Sequence, residues 1–267
     1  MTDTEDTVRL TLNDQGVARL TLNRPDKRNA FDAGIIATLT RHLEQIARDE
    51  RVRVVVLDAE GRHFSAGADL GWMRETAQLD EADNKKDALR LAQLMHRLDT
   101  LPQPTVARVQ GAAFGGALGL ICCCDIAVAT DNARFCLSEV RLGLSPAVIS
   151  PYVIRAIGIR AARRYMLTAE VMDADNARRL QLVHEVQPEA QLDERIDQLV
   201  ADLAAAGPQA LHATKGLIAR VDDAFPDDQL RNDTADLIAR LRTAEEGQEG
   251  LTAFFEKRQP AWREEQS

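Results

Sequence analysis

The sequence predicts an α/β protein whose core alternates strands and helices to about residue 150 and whose C-terminal part is helical. Three observations predict it. Apolar residues alternate with polar ones at Val8–Leu12 and Val17–Leu22, and short apolar runs recur at 53–58, 105–109 and 125–130. Stripes at helical spacing separate those runs, which is the pattern of a sheet with helices packed on it. Beyond Leu192 the spacing is helical almost to the end.

Taken in order, Asn13-Asp14-Gln15-Gly16 joins the first two strands as a hairpin turn. Asn23–Asn29 is a polar loop broken by Pro25. Ile35, Leu39, Leu43 and Ile46 mark a helix, and residues 53–58 (RVVVLD) a buried strand. Gly61–Gly67 is a loop rich in small residues, and Asp69 is placed to cap a short helix. Ala88, Leu91, Met95 and Leu98, with His96 packed among them, form the next stripe, which ends at Leu101-Pro102-Gln103-Pro104. A strand at Thr105–Val109 leads into the glycine-rich Gly111–Gly119, with a helix opening near Gly116, and a strand follows at Asp125–Thr130. Residues 149–181 read as helix in pieces, and Val183–Val186 as at most a short strand. Pro208 opens a helix carrying Ala210, Thr214, Leu217 and Val221, and Pro226 another carrying Leu230, Leu237 and Leu241. This divides the chain into a core, 1–204, and a helical region, 205–267.

The chain has 267 residues, and no apolar run approaches the ~20 residues of a membrane helix. The polar, acidic start at MTDTEDTVRL lacks a secretory layout. Four cysteines, three of them adjacent at Cys122–Cys124 and one at Cys136, suit neither a disulfide framework nor zinc spacing. A cytoplasmic protein with reduced, buried thiols is expected, with no membrane partner. Net charge is −9, opposite in sign to what nucleic-acid binding wants, although a local basic patch can still hold an anion.

The glycine spacing 111, 115, 116, 119 fits no dinucleotide fingerprint, and neither a phosphate-binding P-loop nor a nucleophile elbow is present. No H-E-x-x-H motif occurs, so no metal site is expected. Two small-residue turns remain, Phe64–Leu70 and Gly111–Gly119. One N–H from each could converge on one oxygen, an oxyanion hole worth about 100- to 1,000-fold in rate per donor. Glu139, after a strand-like run and before Gly143 and Pro146, could shuttle protons if its pocket raises its pKa. His63 borders the first turn as a candidate pocket residue; His42, His184 and His212 have no partners at ligand spacing.

In order along the chain, LNRPDKRNAF at 22–31, FSAGADL at 64–70, VQGAAFGGALGL–CCDIAVAT at 109–130, FCLSEVRLGLSP at 135–146 and EGQEGLTAFFEKRQPAW at 246–262 resemble the enoyl-CoA hydratase/isomerase (crotonase) family. The resemblance implies a crotonase-like spiral of ββα units with a C-terminal helical trimerisation region. It implies acyl-CoA thioester substrates, no cofactor beyond the coenzyme A of the substrate, and a homotrimer or dimer of trimers. By matching position it implies oxyanion donors at the N–H groups of Ala68 and Gly116, with Glu139 as the acid–base residue. It implies coenzyme A contacts at Lys27, Arg28, Ala30, Ala66, Asp69, Leu70 and Lys257.

One departure stands out. Hydratases of this family carry two glutamates, and the first falls on Gly119 here. A single glutamate resembles Δ3,Δ2-enoyl-CoA isomerases. The wording of FSAGADLGWMR and CLSEVRLGLSPAVISPYV resembles hydratases of 3-methylglutaconyl-CoA and of carboxylated isoprenoid thioesters. On that likeness Gly119 widens a pocket for a branched chain, and Arg74 and Arg141 are candidates for the distal carboxylate.

Overall fold

A computed structural model describes residues 7–222 and 224–264. The acidic start at 1–6 lies outside the described residues. β1 (Val8–Leu12) and β2 (Val17–Leu22) form the hairpin, with Leu10 opposite Leu20. Asn13 Oδ1 accepts the N–H groups of Gln15 and Val17 at 3.1 and 2.9 Å, so the turn is closed by its own side chain. α1 (Ala33–Arg48) starts at Asp32, whose carboxylate accepts the Ile35 N–H at 2.9 Å. β3 (Val54–Ala59), α2 (Leu70–Thr76), α3 (Glu81–Asp99), β4 (Thr105–Val109), β5 (Ala112–Phe114) and α4 (Gly116–Cys123) follow. Then come β6 (Ile126–Thr130), β7 (Arg134–Cys136), α5 (Ser150–Thr168), β8 (Met172–Asp173), α6 (Ala174–Arg179) and β9 (Glu185–Gln187). α7 (Leu192–Ala204), α8 (Pro208–Val221), α9 (Asp228–Thr243), α10 (Glu245–Glu256) and α11 (Ala261–Glu264) complete the described chain.

The main sheet runs β1-β2-β3-β4-β6-β9, parallel except for the edge hairpin. Its two faces explain why residues 53–58 read as a continuous apolar run. Val55 and Leu57 point into the large core with Leu39, Leu43, Leu94 and Met95. Val54 and Val56 point the other way, onto Leu192, Ile196 and Val200 of α7. A strand buried on both faces has no room for alternation. The smaller sheet, β5-β7-β8, stands at the mouth of the α4 helix.

α8 packs back on the core through Lys215, whose Nζ donates to Gln103 O at 3.1 Å and to Asp125 Oδ2 at 2.8 Å. The Glu246 carboxylate caps its first turn by accepting the Gln209 and Ala210 N–H groups at 3.0 and 2.9 Å. Arg53 joins the core to the C-terminal helices by donating to Ala204 O, Ala206 O and Trp262 O.

Several expectations shift. β3 and β9 sit one or two residues later than the apolar runs suggest. Pro226 precedes α9 rather than opening it, because Asp227 supplies the cap, accepting from Leu230 N–H. On α3 only Leu94, Met95 and Leu98 are buried, while Ala88 and His96 are exposed, so His96 does no packing. The cysteines are free; burial pushes their thiols up, that of Cys122 to about 12. No helix among the described residues is long and apolar enough to cross a membrane.

Candidate active site

The site is assembled from three turns that the sheets bring together. The first is the loop ahead of α1. Asn29 is fully buried and left-handed (φ 54°); its Nδ2 donates to Glu60 O and His63 O, both at 2.9 Å, and its Oδ1 accepts the Arg24 N–H. Asparagine tolerates this backbone region better than most residues. The loop ends at Phe31, whose N–H donates to Gly67 O and whose carbonyl accepts the Asp69 N–H, both at 2.7 Å.

The second turn is Ser65–Asp69. Ala68 is bridged to Phe31 in parallel fashion, so both bonds run through its neighbours and its own N–H faces away from Phe31. Gly67 has φ 90°, and a side chain there would meet Phe114 O at 3.1 Å. Asp69 caps α2, its Oδ1 accepting Gly71 N–H at 2.8 Å and Trp72 N–H at 3.3 Å. Its Oδ2 faces Arg24 at 3.2 Å and Lys27 at 3.5 Å. Burial pushes the Asp69 carboxyl up, but the two backbone donors and then the Lys27 and Arg24 charges outweigh it and hold the group below its usual range.

The third turn is Gly115–Gly116. Gly115 adopts φ 54°, and its N–H donates to Cys136 O at 2.9 Å, tying the turn to β7. A Cβ built on Gly115 would lie 3.2 Å from Glu139 Oε1 and 4.0 Å from Gly67 Cα. The two glycine turns and the glutamate therefore face one another. Among the described residues, neither the Ala68 N–H nor the Gly116 N–H has an acceptor in the protein. Gly116 is the first residue of α4, where a free N–H and the helix dipole favour negative charge.

Glu139 starts a short 3-10 turn closed by Gly143 in the left-handed region (φ 72°). Its Oε2 is buried without a hydrogen-bond partner. Burial pushes its carboxyl above the ordinary range, against a smaller lowering by its own backbone N–H. A carboxylate with a raised pKa and one unpartnered oxygen, beside two unused N–H donors, can move a proton to or from an atom adjacent to a polarised carbonyl.

The structure corrects the role expected of Gly119. A Cβ there would lie 2.4 Å from Ile149 Cγ2 and 3.0 Å from Met95 Sδ. The space is filled by Ile149, itself buried, so the missing side chain does not widen a pocket at that point. Arg141 is exposed but has Nη2 on Ala169 O at 2.7 Å, which draws it to the end of α5 rather than leaving it free for a ligand. Arg74 is exposed on α2, and no ion pair engages it among the described residues. His63 accepts the Ala112 N–H through Nδ1, which makes it a brace for β5 rather than a pocket wall.

Of the residues matched to coenzyme A contacts, Lys27, Arg28, Ala30, Ala66, Asp69 and Leu70 share one edge of this assembly. Ala66 N–H donates to Arg28 O at 2.9 Å, and Ala30 N–H to Lys27 O at 3.1 Å. Leu70 is 71% exposed. Lys257 stands apart as the left-handed cap of α10, and its ammonium makes no hydrogen bond or ion pair among the described residues.

The family model for enoyl-CoA hydratase/isomerase matches residues 13–265. The chain belongs to that family. An enoyl-CoA hydratase structure from Shewanella pealeana is 51% identical and superposes with a TM-score of 0.93 over 98% of this chain and 100% of that one. The 2,3-dehydroadipyl-CoA hydratase of Escherichia coli is 35% identical over 247 residues, 92% of this chain and 94% of that protein. A trans-2-decenoyl-[acyl-carrier-protein] isomerase of Streptococcus mutans is 30% identical over 253 residues, 92% of this chain and 94% of that protein. The crotonase fold follows from these likenesses, and the two sheets with trailing helices are this chain's version of it.

Sequence reasoning did not single out Arg24, Asn29, Phe31 or Ile149. Asn29 carried a local signal, an Asn in a polar loop before a helix cap. Arg24 had none: its guanidinium pairs with both helix-capping aspartates, Asp32 and Asp69, and only the fold brings those two together. Phe31 and Ile149 had none, since each acts on a glycine far along the chain.

Proposed function

We propose that this crotonase-family protein is an enoyl-CoA hydratase for a branched 2-enoyl thioester whose acyl chain carries a second carboxylate. The observation that carries the reading is the convergence of Glu139, with its unpartnered buried oxygen, on a turn that leaves the Gly116 N–H unused, next to the equally unused Ala68 N–H. The thioester oxygen takes those two donors. Glu139 removes a proton from water as its oxygen bonds to C3, and negative charge builds on the thioester oxygen as an enolate. The protonated Glu139 then returns a proton to C2, so one water is added overall and nothing is oxidised or reduced. That balance requires neither metal nor redox cofactor.

The polyanionic carrier lies on this reading along Lys27 and Arg28, with Ala30, Ala66, Asp69 and Leu70 around the adenine and Lys257 reaching a phosphate from a neighbouring subunit. Arg74, unpaired and one helical turn beyond the Ala68 turn, is the favoured partner of the distal carboxylate. A relative named for 2,3-dehydroadipyl-CoA, itself a dicarboxylic thioester, supports that class. Phe225, Phe254 and Phe255, 85%, 76% and 75% exposed in the C-terminal helical region, support assembly as a homotrimer or dimer of trimers.

A second reading has its own observation. With Ile149 filling the space over Gly119, one carboxylate serves the site, which suits a Δ3,Δ2-enoyl-CoA isomerase that moves one proton between carbons. Product masses decide. Incubation with 3-methylglutaconyl-CoA is expected to give a product heavier by one water. A mass-neutral double-bond shift in a 3-enoyl-CoA, with no water added to 3-methylglutaconyl-CoA, replaces the hydratase reading with the isomerase.

A further inference from the structure

Phe31 touches both halves of the oxyanion hole. Its backbone brackets Ala68, donating to Gly67 O and accepting from Asp69 N–H, each at 2.7 Å. Its ring faces the other donor: a Cβ built on Gly116 would stand 3.3 Å from Phe31 Cδ2 and 3.4 Å from Cε2. The residue is 3% exposed, so the ring is fixed between a loop and the first turn of α4. Ala68 and Gly116 are far apart in sequence. Ser65 ties the foot of the first turn to β5, its N–H donating to Ala112 O and its carbonyl accepting the Phe114 N–H, both at 3.0 Å, but among the described residues no hydrogen bond joins 67–69 directly to 115–117.

We propose that Phe31 is the positioning residue that sets the separation of the two oxyanion donors. The proposal rests on the oxyanion-hole reading above. The backbone of Phe31 fixes where the Ala68 N–H stands, and the thickness of its ring fixes how near the Gly116 N–H comes. A hole works only when both donors reach the position the developing oxyanion will occupy. Displacing a reacting geometry by about 1 Å costs on the order of 100-fold in rate. Phe31 itself need touch no substrate atom.

The ring and the Gly116 hydrogen occupy complementary space, which gives a reciprocal test. Phe31→Leu thins the spacer, and Gly116→Ala thickens the opposite wall. Each alone is expected to lower kcat by about 10- to 100-fold with KM for the thioester within about 3-fold, since neither substitution alters a side chain placed along the carrier. Together they are expected to recover part of the loss, so that kcat of the double variant exceeds the product of the single effects by at least about 5-fold. The second readout is the infrared carbonyl stretch of a bound, non-reacting thioester, expected to be lowered in the wild type and to move back towards its solution value in each single variant. Phe31→Met stands in if Phe31→Leu does not fold, as judged by circular dichroism.

The outcomes separate. A carbonyl stretch unshifted in the wild type sinks the hole and the spacer with it. A stretch shifted in the wild type and equally in both single variants, or kcat losses that simply multiply, overturns the spacer and leaves the hole standing. A merely structural role for Phe31 would lower thermal stability while leaving the stretch and the kcat of the folded fraction unchanged.

Discussion

Replacing Gly119 by alanine tests whether Ile149 really fills the missing side chain's place. Two terms oppose each other. A glycine inside α4 costs about 1 kcal/mol relative to alanine, so the substitution gains that much in helix preference. The new methyl, however, would lie 2.4 Å from Ile149 Cγ2 and 2.9 Å from Ile149 Cβ, with Met95 Sδ at 3.0 Å. Those contacts involve the stiff branch point of an isoleucine rather than a flexible tip. Overpacking of this kind costs about 1–3 kcal/mol. The net expectation is a loss of about 0–2 kcal/mol, with the melting temperature falling about 2–4 °C for each kcal/mol in a chain of this size. Ile149→Ala alone should cost about 2–5 kcal/mol for the cavity it leaves. In the double variant the methyl introduced by Gly119→Ala occupies part of that cavity, so the two losses should fall short of adding by about 1–3 kcal/mol. Thermal unfolding of the wild type and three variants measures all four corners. A Gly119→Ala protein that melts higher than the wild type, or losses that add, would refute the packing argument and reopen the space over Gly119 as pocket.

Glu139→Gln should lower turnover by about 100- to 10,000-fold while a thioester still binds, checked by steady-state kinetics and calorimetry. The pH profile should show its acidic limb above the range of an exposed glutamate, because burial raises the Glu139 pKa and the base works only when deprotonated; a limb in the ordinary glutamate range would contradict this. The same shift has a sign for stability. A carboxyl whose folded pKa is raised favours the folded state at low pH and loses that contribution as pH rises through the folded value, so Glu139→Gln should melt higher than the wild type at pH 8, and the gain should vanish below the pKa of the unfolded chain. Lys27→Ala with Arg28→Ala should raise KM for a coenzyme A thioester and leave a pantetheine thioester unaffected; equal effects on both would remove the phosphate role. Iodoacetamide at pH 8 should leave native Cys122, Cys123 and Cys124 largely unlabelled, since burial holds their thiols protonated, whereas urea should expose all three to mass-detected alkylation.

Much of the fold could be read locally. The hairpin, α1, β3, β4 and β6 each announce themselves by period and composition. β5 did not, because three residues inside a glycine-rich stretch become a strand only through pairing with β7, which lies about 20 residues on. Ala88 is exposed because only the second half of α3 meets the core, and His96, in that half, turns outward because it stands about 100° around the helix from Met95, off the face of Leu94, Met95 and Leu98. At the site, the motifs located Ala68, Gly116 and Glu139 on the turns that the structure brings together. They could not reveal that Ile149 stands over Gly119 or that Ala169 holds Arg141, since both are contacts across about 30 residues of chain with no local pattern to betray them.

The bridge between Phe31 and Ala68 has a consequence for how such a protein can be read by mutation. Ala68 and Gly116 would act through the peptide bond itself, and no side-chain replacement deletes an amide hydrogen except proline, which breaks the turn as well. An alanine scan would pass over residue 68 without a mark. Its most consequential atoms are hidden from the usual genetic vocabulary, and only an amide-to-ester exchange at residue 68 or 116 would remove one hydrogen and leave every side chain where it was.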